Sequence, residues 1–168
     1  MLWFKKSFLG LSLLFMSSCA FKPLYSSYEG DVVERLASIK VSQIEGRLGQ
    51  VMRNALVQKL TPLGSPRNPH YILDVSLRFS DRDLGVAKDA TTTRTEVVLS
   101  VHYTLKDAKT GKVLHQASET ESSDYNILTT SYYSNIVSKN NAQEGTVELV
   151  ANLIKLSISS YLSNPTVE

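Results

Sequence analysis

The sequence predicts an α+β two-layer sandwich, with two helices packed on one face of a four-stranded antiparallel or mixed sheet in the order β-α-β-β-β-α. Three observations predict it. Two segments alternate apolar and polar residues with the period of a half-buried strand. Two others repeat apolar residues at spacings of three and four, the signature of amphipathic helices. Strands patterned this way give a sheet with one apolar and one polar face, which asks for helices on one side only.

The elements follow in order. Ala37 to Ile44 alternates through Ile39 and Val41 and reads as a short first strand. Glu45 to Leu60 carries Leu48, Val51, Met52, Ala55, Leu56 and Leu60 on one helical face, with Arg47, Gln50, Arg53, Asn54 and Gln58 on the other. Pro62 and Gly64 end that helix, and Pro66 and Pro69 stiffen the connection. From His70 to Ser80, Tyr71, Leu73, Val75, Leu77 and Phe79 share one strand face, while Asp74, Ser76 and Arg78 take the other. Residues 80–94 read as a long connecting loop. Thr95 to Leu105 repeats the alternation through Val97, Leu99, Val101, Tyr103 and Leu105. Asp107 to Lys112 is a tight turn, and Lys112 to about Glu121 is its hairpin partner. A tyrosine-rich loop is expected from Asp124 to Tyr133. The last helix begins between Ser131 and Asn141, carries Val147, Val150, Ala151, Ile154, Ile158 and Tyr161 inward, and stops at Asn164-Pro165.

The first residues read differently from the body. Lys5 and Lys6 precede an uncharged, largely apolar run from Ser7 to Met16. That is the pattern of a secretory signal, and the run is too short to cross a bilayer as a helix. Met16-Ser17-Ser18-Cys19 resembles a lipobox, in which small side chains precede a cysteine that takes a lipid. Cys19 is the only cysteine in the chain, so it has no intramolecular partner and needs another use. Residues 1–18 are therefore expected to be a removable lipoprotein signal. Residues 19–36 are expected to be a lipidated N-terminus and tether, and residues 37–168 one domain. No cofactor is expected beyond the lipid on Cys19. Ala20 follows the cysteine; the Gram-negative retention rule places Asp there, so the expected location is the outer membrane, lipid-anchored on its periplasmic side.

Removing residues 1–18 takes two of 18 basic residues and no acid, leaving 16 of each sign. A mature chain with no net charge has no global field to attract nucleic acid. Neither does the sequence spell a catalytic site. His70, His102 and His115 lack metal-ligand spacing, and the nucleophile-elbow, P-loop and dinucleotide glycine motifs are absent. No enzyme and no metal are expected. The candidate binding elements are the two long connections. The first is the loop at residues 80–94, far longer than is needed to join two strands. The second offers Tyr125, Asn126, Tyr132 and Tyr133 as partner-contact groups.

Several segments together resemble the lipopolysaccharide-assembly lipoprotein family LptE in its alphaproteobacterial form. They are Cys19 with Phe21-Lys22-Pro23-Leu24-Tyr25, Gly46-Arg47-Leu48-Gly49-Gln50 leading to Arg53-Asn54-Ala55-Leu56, Tyr71-Ile72-Leu73-Asp74-Val75, Thr93-Arg94, and Tyr103-Thr104-Leu105-Lys106-Asp107 with Thr110-Gly111. Asp124-Tyr125-Asn126 and Ser131-Tyr132-Tyr133 complete the pattern. The resemblance covers nearly the whole mature chain; it departs at Lys106 and at Asn141-Ala142. It implies two helices on a four-stranded sheet, and a plug and assembly partner for an LptD-like outer-membrane β-barrel that inserts lipopolysaccharide. Contact with lipopolysaccharide itself is also implied, with Arg78, Arg82, Lys88 and Arg94 as the basic candidates. The alternative is an auxiliary or carrier lipoprotein of an envelope lipid-transport system. A carrier needs an apolar hollow, whereas a plug needs a filled core and a polar outer face.

Overall fold

The computed structural model describes residues 29–86, 92–128 and 130–163. The chain divides into two units at Gly30/Asp31. The first lies outside the described residues except at its last two positions; the second carries the fold. The elements are α1 (Glu29–Ala37), β1 (Ile39–Val41), α2 (Gly46–Leu60), β2 (Tyr71–Val86), β3 (Thr92–Asp107), β4 (Val113–Asn126) and α3 (Tyr132–Ser163). They form an α+β fold on one mixed sheet of order β1-β2-β3-β4. β1 runs parallel to β2, and β2, β3 and β4 are antiparallel neighbours.

The core lies between the sheet and the helices. Leu73, Leu99, Val101, Tyr103 and Leu105 from the sheet meet Met52 and Leu56 of α2 and Val147, Val150, Ile154 and Ile158 of α3, all essentially without solvent exposure. Burying a large apolar side chain contributes about 1.5–3 kcal/mol, so this layer carries most of the fold's stability. Two salt bridges tie the helices to each other, Arg47 to Glu144 at 2.6 Å and Lys59 to Glu148 at 2.9 Å.

Three features differ from the sequence reading. Residues 29–36, placed in the tether, and Ala37, placed at the start of the first strand, form α1, and β1 shortens to Ile39–Val41. Val32 and Leu36 lie one turn apart and are buried, and Arg35 pairs with Asp31 across the same turn. The long loop at 80–94 is largely strand: β2 and β3 stay paired from Tyr71↔Asp107 to Val86↔Thr92, with irregularities around Gly85. Asp81 and Asp83 interrupt the apolar alternation, but Lys139 on α3 meets Asp81 and the Thr95 hydroxyl meets Asp83, so the strand continues through them. The tyrosine-rich loop also shortens. β4 runs to Asn126, and α3 begins at Tyr132, where the Ser131 hydroxyl accepts from the Ser134 amide as an N-cap.

Candidate functional site: the polar sheet face and the hairpin end

Strand alternation sorts the site residues. Even-numbered side chains of β2, β3 and β4 point away from the helices through the regular part of the sheet. Adjacent rows run Asp74–Thr104–Gln116, Ser76–His102–Ser118, Arg78–Ser100–Thr120 and Ser80–Val98–Ser122 across the three strands. The inner face of β4 is unusual in being polar: His115, Glu119, Glu121 and Ser123 point toward α3. There His115 meets the Ser157 hydroxyl at 3.2 Å and stacks on Tyr161, with ring centroids 5.0 Å apart. His102 and His115 therefore lie on opposite faces of the sheet.

The charges of the outer face are mostly paired. Lys106 donates to Asp74 at 2.7 Å, and Ser42 donates to the same carboxylate at 2.6 Å; together they hold Asp74 below the usual carboxylate range. Arg82 lies 3.3 Å from Glu96. Arg94 donates to Asp124, which lowers the aspartate's pKa and raises that of the arginine. Of the predicted basic residues, Arg82 and Arg94 are thus already engaged. Arg78 stands midway along β2, where β3 is its one paired neighbour, with no ion-pair partner among the described residues, and Lys88 lies outside them, as does Cys19.

Around Arg78 the surface dips into a groove of about 330 Å³ lined by Ser76, Ser100, His102, Ser118 and Thr120, with Leu77, Val101 and Glu119 also at its wall. The sequence reading put Ser76 on the polar face and weighed His102 only as a metal ligand, and named none of these residues as a binding candidate. Their even spacing on three neighbouring strands was visible, but their convergence required the register.

The predicted tyrosines gather at the end of the sheet where the β2–β3 hairpin closes. Tyr132 is 82% exposed and Tyr133 77%. Leu84, Leu128, Ile136 and Val137 are also exposed there. Asn126 is exposed opposite Arg94, whereas Tyr125 is half-buried on the inner face. A side-chain clasp fixes this end, the Asn135 amide group donating to the Leu128 carbonyl and accepting from the Leu128 N–H, both at 2.8 Å. Among the described residues no group of His, Cys, Asp and Glu is placed to hold a metal ion, and no helix is long and apolar enough to cross a membrane.

Comparison with known proteins places this geometry. A Caulobacter crescentus crystal structure described as a lipoprotein is 25% identical, with a TM-score of 0.68 over 82% of this chain and 99% of that one. A minor lipoprotein from Acinetobacter baumannii (16% identity, TM-score 0.57, 74% and 92% covered) and rare lipoprotein B from Shewanella oneidensis (13%, 0.56, 73% and 92%) share the fold. No curated protein matches the sequence. The lipopolysaccharide-assembly family LptE matches residues 36–156, which span α2, all four strands and most of α3, and the chain belongs to that family.

Proposed function

We propose that this protein is an outer-membrane lipoprotein, anchored on the periplasmic side through a lipidated Cys19, that docks into an LptD-like β-barrel and serves lipopolysaccharide insertion without catalysing a reaction. Family membership over residues 36–156 is the observation that carries the reading. The architecture supports it. The core is filled by side chains from both layers, which suits a plug better than a carrier that must enclose acyl chains. The outer sheet face is polar, as the wall of a wide barrel is. The exposed Tyr132 and Tyr133, with Leu128 and Ile136, supply aromatic and apolar contact area for a partner; Tyr125 and Asn126 flank them. Residues 1–18 would serve as the signal, residues 19–36 as a lipidated segment ending in α1, and residues 37–168 as the docking domain. At the hairpin, Arg82 and Arg94 with Lys88 would meet lipid A phosphates by exchanging Glu96 and Asp124 for them. Lipid anchoring confines the plug to the membrane that holds the barrel and raises its effective concentration there.

The test is co-purification in detergent from envelope membranes. A large outer-membrane barrel should elute with the tagged protein, and Tyr132→Ala with Tyr133→Ala should weaken its retention. Recovery of the protein alone, from membranes in which the barrel is abundant, would count against docking.

A further inference from the structure

We infer that the free edge of β4 is a strand-addition site, which takes an extended basic segment of another polypeptide as a fifth strand. The sheet order β1-β2-β3-β4 leaves two edges. The β1 edge is short, three residues from Ile39 to Val41, with Lys40 exposed on it. A very short strand bearing a lysine is one way natural sheets refuse a further strand. The β4 edge is long, 14 residues from Val113 to Asn126, and contains neither lysine nor proline. Its pairing with β3 is unbroken from His115 to Asn126, so no bulge turns this edge away.

Register shows which backbone groups are open. The Ile127 amide donates to the Thr93 carbonyl at 2.9 Å, in line with the β3–β4 pairing, and an antiparallel ladder bonds every second residue. Odd-numbered residues of β4 therefore bond β3, while Gln116, Ser118, Thr120 and Ser122 turn their N–H and C=O groups to the edge. No backbone hydrogen bond reaches those groups among the described residues. Side chains leave the edge clear as well. The Ser118 hydroxyl lies 2.9 Å from His102 Nδ1, that of Thr120 3.5 Å from Ser100 Oγ and that of Ser122 2.9 Å from Glu96 Oε1, so all three turn back toward β3.

Charge names the occupant. Glu119 and Glu121 stand half-buried on the inner face of β4. Glu119 accepts from the Tyr103 hydroxyl at 3.4 Å, and neither carboxylate has an ion-pair partner among the described residues. A strand laid along β4 brings its own inner-face side chains to about 5 Å from these two at Cβ, where lysine or arginine pairs with them. A second copy of this chain fits badly. Laid antiparallel about Thr120, β4 on β4 opposes Glu119 to Glu121, and like charges directly opposite are destabilising. The two carboxylates thus refuse self-pairing and select a basic strand.

The experiment titrates the isotope-labelled mature lipoprotein, in micelles of an uncharged detergent, with a peptide of about nine residues that alternates threonine and lysine, the period of a strand. Backbone amide shifts and hydrogen exchange are followed. The amides of Gln116, Ser118, Thr120 and Ser122 should gain protection, while those of Ala117, Glu119 and Glu121, already bonded to β3, keep theirs. Glu119→Gln with Glu121→Gln should lower the affinity about fivefold, the loss expected for two cross-strand ion pairs. The same peptide N-methylated on every amide keeps its charge but loses its donors, and should not bind. Equal binding of the N-methylated peptide would overturn the proposal, as would unaltered affinity in the double variant or protection confined to other strands. Protection of the same four amides with rising protein concentration and no peptide would give the edge to a second copy, and the proposal would fail. These arms contain no barrel, so this reading and the docking reading fail separately.

Discussion

Asp74 shows how one residue joins three strands. It sits on β2, takes a hydrogen bond from Lys106 on β3 and another from Ser42 just beyond β1. Both side chains of the ion pair are more than a third exposed, so solvent screening keeps its contribution to about 0.5–1 kcal/mol. Those bonds lower the folded-state pKa of Asp74, chiefly through Lys106. Its stabilisation is therefore fully present above the unfolded carboxylate value of about 3.9, and fades as pH falls through the lower folded value. Asp74→Asn should lower the urea midpoint at neutral pH, and wild type and variant should converge in strong acid; a gap that persists there would refute the assignment. Tyr103 is the opposite case, a fully buried ring whose hydroxyl reaches Glu119 at 3.4 Å and whose pKa is raised mainly by burial. Tyr103→Phe should cost about 1 kcal/mol, the net worth of an ordinary hydrogen bond, read as a shift in thermal midpoint. A cost several times larger would mean that the hydroxyl organises the His115–Ser157–Tyr161 seam around it.

At the scale of elements, α2 depends on two glycines at its start. Gly46 has φ +80°, which other residues rarely adopt. Gly49 faces the chain leaving β1: a Cβ there would lie 2.8 Å from Ile44 Cγ2 and 3.0 Å from its backbone carbon and oxygen. Alanine at 49 would gain about 1 kcal/mol in helix propensity. Against that stands an overlap with backbone that cannot rotate away, costing about 1–3 kcal/mol. Gly49→Ala should therefore be destabilising on balance, by about 1 kcal/mol in chemical denaturation, and a stabilised variant would show that the helix can tilt off β1 freely. The helices also differ in reach. α2 has 15 residues and α3 has 32, about 22 Å against about 48 Å at 1.5 Å per residue. The hairpin half of the sheet is thus roofed mainly by the first turns of α3, and Leu77 and Phe79 on β2 stay half-buried there. The exposed tyrosines of α3 begin at that same end, which is why partner contact is assigned to it.

For the whole molecule, the decisive prediction concerns its attachment. In Cys19→Ala no thioether can form, so the protein should leave the membrane fraction and appear as soluble or unprocessed chain; unchanged fractionation would remove lipidation from the account. The described body has one apolar core and outer-face charges nearly all paired, and the proposed anchoring and docking are assigned to the N-terminus and the hairpin end.

Much of this fold was legible because its strands and helices follow their own periods. Tyr71 to Phe79 and Val97 to Leu105 alternate so strictly that their faces could be assigned without a partner, and the apolar stripes of α2 and α3 were equally plain. What stayed hidden depended on residues far apart in the chain. Asp81 and Asp83 look like the end of a strand until Lys139 and Thr95 satisfy them, and Val32 and Leu36 mark a helix only once the core covers them. Arg78, Arg82 and Arg94 read alike in sequence. Local patterning determined the class of fold and the family resemblance, because periodicity and small motifs are properties of neighbouring residues. Tertiary structure alone decided which arginine is free and which hydroxyls surround it, because strand register sets charge pairing across positions up to 32 residues apart, as between Asp74 and Lys106.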